Sequence, residues 1–297
     1  VPHTPHEPGT TPSGHRSKPH TLAPLGRKQA SDHAHWQAVA RQIVHDYPRP
    51  LYLEILGTTL TQIRATIARH GWKRLAFGWS GGKDSVALEF VMRAAGISEC
   101  VLVISRLEYR AFLEWVTDHM PRRLTVVQTG QDLRWLAAHP EMLFPKDAAT
   151  AGKWFKLVQH TGQDRYYREE RLDCLILGRR RADGNHVGPA GRDVYTNAAG
   201  ITRWSPLAHW THEQLLACIH YEGLPLPPTY DWPRGYQVGT GPWPARQFAA
   251  SPDAAWDEVW QIDPSVVEDA AAHHIPGAVD AWNRNVQVRP SRLYHPE

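Results

Sequence analysis

Leu75-Ala76-Phe77-Gly78-Trp79-Ser80-Gly81-Gly82-Lys83-Asp84-Ser85 runs from an apolar segment, through two glycines flanked by hydroxyls, into residues with a helical pattern. Arg74 to Gly78 reads as a strand, and Val86, Leu88, Phe90 and Val91 continue as a helix that ends near Gly96. The glycines let the backbone turn tightly and bring several N–H groups toward one point. The helix directs the positive end of its dipole at the same point. Ser80 and Ser85 can donate hydrogen bonds to phosphate oxygens, and Lys83 adds a full positive charge. The stretch therefore predicts a cradle for a pyrophosphate or a phosphosulfate. It is not a Walker loop, which has a glycine five residues before its Gly-Lys pair and Ser or Thr after the lysine. Phe77 and Asp84 occupy those positions.

The alternation continues on both sides. Cys100-Val101-Leu102-Val103-Ile104 is a continuous apolar run, as a buried parallel strand requires. Phe112 to Met120 has helical spacing, Leu124 to Val127 is strand-like, and residues 131–171 read as mostly helix or loop. Leu172 to Leu177 is the clearest later strand. Strand, helix and strand repeated in this way predict an α/β fold, a doubly wound and mainly parallel sheet with helices on both faces. Upstream, Ala34 to His70 is helical in pattern with a break at Pro48 and Pro50. Beyond Gly184 a glycine-rich polar loop runs to Gly200, Thr211 to Tyr221 forms a helix, and Trp256 to Ala272 closes with helical spacing. The segment 223–245 is rich in Pro, Gly and Trp, and the tryptophan-rich stretch from Trp204 to Trp243 is read as core in preference to base-stacking platforms. Residues 1–33 mix Pro, His, Thr, Ser and Gly with few aliphatic residues and read as a disordered tail. The expected organisation is this tail, a main domain over 34–235 and a C-terminal extension over 236–297.

With 297 residues, 42% hydrophobic and 21% charged, the composition is that of an ordinary globular protein able to bury a sizeable core. No apolar run reaches bilayer-spanning length, and the first residues lack a secretory pattern. The formal charge of +3 permits anionic nucleotides without demanding a nucleic-acid partner. Three widely spaced cysteines, Cys100, Cys174 and Cys218, form no CxxC pair and suit a reducing cytoplasm, where buried apolar roles are expected for them.

SGGKDS after a strand resembles the SGGxDS signature shared by PP-loop ATP pyrophosphatases and phosphoadenylylsulfate (PAPS) reductases. Leu172 to Asp183, a strand ending in Gly178 and the arginines Arg179, Arg180 and Arg181, resembles the PAPS reductase-like branch of that superfamily of adenine nucleotide alpha-hydrolases. Trp204-Ser205-Pro206-Leu207-Ala208-His209-Trp210-Thr211 resembles its PL-x-x-W-T element, and Leu224 to Tyr230 follows at the family's usual interval. The resemblance covers about residues 72–240. It implies that Ser80, Gly81, Gly82, Asp84 and Ser85 cradle ATP or PAPS together with Gly178. Lys83 falls at a variable position, and its charge alone suggests phosphate neutralisation. Arg180 and Arg181 lie at the C-terminal edge of a central strand, where open α/β sheets bind ligands, and guanidinium forks suit phosphate or sulfate. Lys83, Asp84, Arg180 and Arg181 are thus the candidate catalytic residues. Mg²⁺ is expected with a triphosphate, with Asp84 as its carboxylate and Glu108 and Asp183 as weaker candidates. Lys156 sits where the family often has a lysine; His209 and His212 are read as packing or helix-start residues.

The departures from the family narrow the chemistry. PAPS reductases act through a cysteine in an E-C-G-L-H-type segment near the C-terminus, whereas no cysteine follows Cys218 here. Iron–sulfur relatives carry an I-G-C-x-P-C-T segment, and Val238 to Pro244 has Thr240 and Trp243 in the cysteine places, so no iron–sulfur cluster is expected. Gly184 and Asn185 stand where relatives often have an acidic residue and a serine, which leaves the substrate open. Three readings follow. The leading one is an enzyme that cleaves ATP between its α- and β-phosphates, transferring AMP to an unknown acceptor. The second is a PAPS- or APS-handling enzyme with an unorthodox nucleophile, such as Cys174 or an external thiol. The third is a silent nucleotide- or partner-binding protein. A nucleic-acid acceptor stays open, no membrane partner is expected, and a homodimer is compatible because members of the family often dimerise.

Overall fold

The apolar run Cys100–Ile104 becomes a fully buried strand of a six-stranded sheet, with all five residues covered. The computed structural model describes residue 25 and residues 32–246 and 251–287. The expected tail therefore lies outside the described residues, apart from Leu25, Asp32 and His33. The strands are β1 (Leu75–Gly78), β2 (Cys100–Ile104), β3 (Leu124–Gln128), β4 (Cys174–Ile176), β5 (Val194–Thr196) and β6 (Thr202–Trp204). Their spatial order is β3-β2-β1-β4-β6-β5, parallel throughout except for the antiparallel β5–β6 pair. In the centre Phe77 of β1 stands opposite Cys100 on one side and Ile176 on the other.

One short strand, β5, lies in the segment expected to be a glycine-rich loop, and β6 lies just beyond it. β5 and β6 form a hairpin whose turn is organised by Asn197, its Oδ1 accepting from the N–H groups of Ala199 and Ile201. Three residues are too few to show alternation, and β6 buries a charged residue, Arg203, paired with Asp164 at 2.7 Å. Its pattern Thr-Arg-Trp gave no apolar signal, yet the strand lies beside β4 near the middle of the sheet.

Helices cover both faces. α1 (His33–Asp46), α2 (Arg49–His70), α3 (Lys83–Ala94) and α8 (His212–Tyr221) pack together as one layer. Pro48 precedes α2 as its N-cap, and Gly71 in the left-handed region ends it. Thr211 and Gln214 make a reciprocal capping box that starts α8. Between β2 and β3 comes α4 (Arg110–His119), followed after β3 by α5 (Leu133–Ala138). α6 (Ala148–Phe155) runs through a π turn, Lys156–His160, into α7 (Thr161–Glu169), which lies on β2 and β3. A π turn inside a helix is a frequent mark of functional sites, and this one borders the cavity described below.

After α8 the chain forms short helices α9 (Gly235–Val238) and α10 (Trp243–Arg246), then α11 (Pro252–Ile262), α12 (Pro264–Ala272) and α13 (Ala278–Gln287). The helical stretch expected over 256–272 is broken at Asp263, which leaves helical geometry and caps α12 by accepting from Ser265 N–H. The aromatics Trp204, Trp210, Trp243 and Trp256 are buried, in keeping with the core reading. Among the described residues no helix is long and apolar enough to cross a membrane.

Candidate functional site

The chain builds β2 and β3 on one side of β1 and then returns to place β4 on the other. Connections diverge at such a switch point and leave a crevice beyond the strand ends. The Ser80–Ser85 loop leaves β1 there, and Gly178 to Asp183 leave β4 beside it. The loop holds its own shape. Ser80 N–H donates to Ser85 Oγ at 3.0 Å, Ser85 Oγ donates to the Gly82 carbonyl at 2.9 Å, and Lys83 N–H donates to Tyr230 Oη at 2.7 Å. Gly81 has φ +68°, and a Cβ on it would come within 2.9 Å of the Phe112 ring, so both conformation and space demand glycine. Gly178 is required for approach: a Cβ there would lie 2.9 Å from the Asp84 carbonyl oxygen at the start of α3.

Loop and turn open into a cavity of about 440 Å³. Its polar lining includes Ser80, Gly82, Asp84, Ser85, Arg179 and Asp183. Its apolar lining comes from β2 and from Phe112, Trp154, Phe155, Val158 and Leu177. Residues 237–242 with Ala245 and Arg246 complete the lining, beyond the boundary expected at 235. That part of the lining is fixed by the Trp243 N–H bond to the Leu107 carbonyl at 2.8 Å and by Glu258 of α11, which accepts from both Arg234 and Arg246.

Lys83 and Arg180, expected to meet phosphate, lie beneath the loop and not in the cavity wall. Both are completely buried. Lys83 Nζ pairs with Asp84 Oδ2 at 2.7 Å and Asp183 Oδ2 at 2.9 Å. Arg180 pairs through Nε with Asp84 Oδ1 and through Nη2 with Asp183 Oδ1 at 3.2 Å. Its Nη1 donates to the carbonyls of Trp210 and Thr211, both at 3.1 Å, and its Nη2 donates to His212 Nδ1 at 3.3 Å. Two cations thus face two carboxylates. Burial alone would raise the Asp84 pKa, but Arg180 and then Lys83 outweigh it and hold the carboxyl well below its usual range. Both Asp84 oxygens are engaged by cations, while the side chain also reaches the cavity lining. The cluster ties the first turn of α3 to the β4 turn and to the start of α8. Arg181 points elsewhere, being exposed and donating through Nη2 to the Gly191 carbonyl. Of the three arginines, Arg179 is the one lining the cavity, its guanidinium 5.7 Å over the Phe155 ring and bonded to Tyr195 Oη at 3.3 Å.

The residues that sequence reasoning passed over are Arg179, Gln163 and Tyr230. Arg179 was legible as part of the arginine run, but which member of a run faces a site depends on the turn's path. Gln163 and Tyr230 carried no local signal. Glu108, weighed only as a minor metal candidate, lines the cavity. Its Oε1 accepts from Ser105 N–H at 3.2 Å and Ser105 Oγ at 3.1 Å, while its buried Oε2 has no hydrogen-bond partner. Burial raises its carboxyl to about 7, against the smaller lowering effect of Ser105. A carboxyl raised on folding stabilises the protein at acid pH and loses that contribution as pH climbs through about 7. Glu108→Gln, which cannot ionise, is therefore expected to melt with wild type at pH 5 and above it at pH 8, as thermal unfolding followed by circular dichroism would show.

The alternative nucleophile is not available. Cys174 lies in β4 with no exposed surface, and burial drives its thiol far above the ordinary range. Cys100 and Cys218 are buried too, each pushed up to about 12 chiefly by burial. Lys156 borders a separate cavity with Trp135 and His139, away from the loop. His212 packs under Trp36, as a structural role predicts, and burial followed by Arg180 lowers its pKa.

Among curated proteins none matches the chain. Similar solved structures include a PAPS reductase from Candida auris in complex with phosphate, at 14% identity over 67% of this chain and 90% of that one, TM-score 0.45. The U34-tRNA thiolase NcsA from Methanococcus maripaludis matches at 14% identity over 84% and 85%, TM-score 0.44. An NMN synthetase from Francisella tularensis matches at 13% identity over 83% and 98%, TM-score 0.45. The thiolase carries a [4Fe-4S] cluster, which corrects the expectation that an iron–sulfur cluster is excluded. Thr240 and Trp243 remove one pattern of thiolate ligands, and one segment's pattern does not define what the fold can hold. Among the described residues no group of three or more His, Cys, Asp or Glu side chains could hold a metal ion. The model of the phosphoadenosine phosphosulfate reductase domain matches residues 74–239, from the strand before the loop to the cavity wall, and the chain belongs to that family.

Proposed function

We propose that the protein binds ATP in the switch-point cavity and cleaves it between the α- and β-phosphates, passing AMP to an acceptor and releasing pyrophosphate. The observation that carries this reading is one cavity lined both by the Ser80–Ser85 loop with Arg179 and by a set of apolar side chains. Phosphates suit the first, because the start of α3 and a guanidinium favour anions. A purine suits the second, where Phe155, Val158 and the edge of β2 offer flat apolar contact. The Lys83–Asp84–Arg180–Asp183 cluster holds the loop rigid, so its donors need no reorganisation when charge develops at phosphorus. Family membership supports a second reading, a sulfonucleotide substrate, for which the attacking thiol would have to come from another molecule, because the three cysteines are buried.

Incubation with α-³²P-labelled ATP and magnesium, with and without a cell extract as acceptor source, tests the proposal. Labelled AMP or an adenylylated product, together with pyrophosphate and a silent Ser80→Ala/Asp84→Ala control, is the expected result. Absence of turnover with tighter binding of PAPS than of ATP would replace it by the sulfonucleotide reading.

A further inference from the structure

Adenylyl transfer to a hydroxyl or an amine needs somewhere for the acceptor's proton to go, and the ionisable groups lining the cavity are few. Asp84 and Asp183 are each bound by both Lys83 and Arg180. Arg179 and Arg246 are cations, and Arg246 is paired with Glu258 at 3.1 Å. Tyr230 accepts the Lys83 N–H, and burial followed by the charge of Asp84 keeps its hydroxyl protonated. Glu108 differs from all of these. Its Oε1 is oriented by two bonds from Ser105, and its Oε2 is buried in the cavity wall without a donor. A buried acceptor with no partner is uncommon, and it leaves Glu108 Oε2 as a carboxylate oxygen of the lining still to be satisfied.

We propose that Glu108 is the catalytic base of the transfer, a role that rests on the adenylyl-transfer reading. The lone pair of the acceptor oxygen or nitrogen forms a bond to the α-phosphorus of ATP. The bond from that phosphorus to the oxygen bridging to the β-phosphate breaks, and pyrophosphate leaves with the electron pair. The acceptor's proton passes to Glu108 Oε2. Loss of that proton to solvent returns the carboxylate. Burial, and not a neighbouring charge, brings the carboxyl to about 7, where a base is effective at neutral pH.

The test uses the whole protein, magnesium ATP, and water or methanol as the acceptor, with pyrophosphate release measured from pH 5.5 to 8.5. Reading wild type against Glu108→Gln at each pH cancels titration of the nucleotide. The expected ratio rises through about pH 7 to a plateau of about 100- to 10,000-fold. ATP affinity is expected to stay within about twofold, which also shows that the variant is folded, and Glu108→Asp is expected to recover part of the rate with the same pH limb. A flat ratio near one overturns the base role while leaving adenylyl transfer standing. Loss of ATP binding in both variants overturns it as well, by making Glu108 part of the nucleotide seat. Wild type that binds ATP yet releases no more pyrophosphate than Ser80→Ala/Asp84→Ala protein overturns the transfer reading, and the base role falls with it.

Discussion

Arg180→Met is expected to lower the melting temperature by about 10 °C and to abolish the proposed ATP binding. The substitution keeps most of the side chain's length and removes the fork that engages Asp84, Asp183 and the carbonyls of Trp210 and Thr211. What remains is a single lysine beneath two carboxylates, one of them with a side chain only 2% exposed. Breaking a buried ion pair from one side costs about 3–5 kcal/mol, chiefly because the stranded charge stays buried. For a chain of this size each kcal/mol moves the melting temperature by about 2–4 °C. Arg180→Lys restores the charge but cannot reach four acceptors at once, so it is expected to recover part of the stability and little of the binding. Scanning calorimetry and ATP titration check both statements. A variant that melts with wild type would show the cluster to be dispensable.

Gly178→Ala is expected to weaken the proposed ATP binding by about 100-fold while the fold is retained. The added Cβ would stand 2.9 Å from the Asp84 carbonyl oxygen and 3.1 Å from its carbon, and both atoms belong to the backbone of α3. No side chain can swing aside to make room, so the first turn of the helix must move. That turn carries the loop proposed to cradle phosphate, and displacement on the order of 1 Å at a site of this kind costs about 100-fold. Isothermal titration calorimetry with ATP, alongside a thermal melt, separates displaced geometry from unfolding. Gly57→Ala, where nothing lies within 4 Å of the new atom, is the matched control and is expected to bind normally.

The fold was legible where the sequence repeats a simple physical demand. A strand buried on both faces must be apolar throughout, and Cys100–Ile104 met that demand residue for residue. The turn after β1 was legible because adjacent glycines and a helix start fall together in one short stretch. The hairpin of β5 and β6 was not, since its strands are short and one buries Arg203, whose pairing with Asp164 arises only in three dimensions. The break at Asp263 was overlooked although Asp-Pro-Ser is a helix-start signal, because the apolar spacing continued across it. Within the site, residue types were readable but directions were not. Lys83, Arg180 and Asp84 were singled out as groups acting on phosphate, while the structure turns their charges toward one another. Glu108 needed the fold to bring Ser105 to one of its oxygens and leave the other without a donor.

Hydrogen–deuterium exchange with and without saturating ATP tests the central claim most directly, because it locates the nucleotide without assuming a reaction. The account predicts slowed exchange over residues 79–86 and 178–183, and over 154–163 where α6 passes through its π turn beside the apolar lining. Protection confined to other surfaces, or unchanged exchange across the loop at an ATP concentration shown to bind, would contradict it.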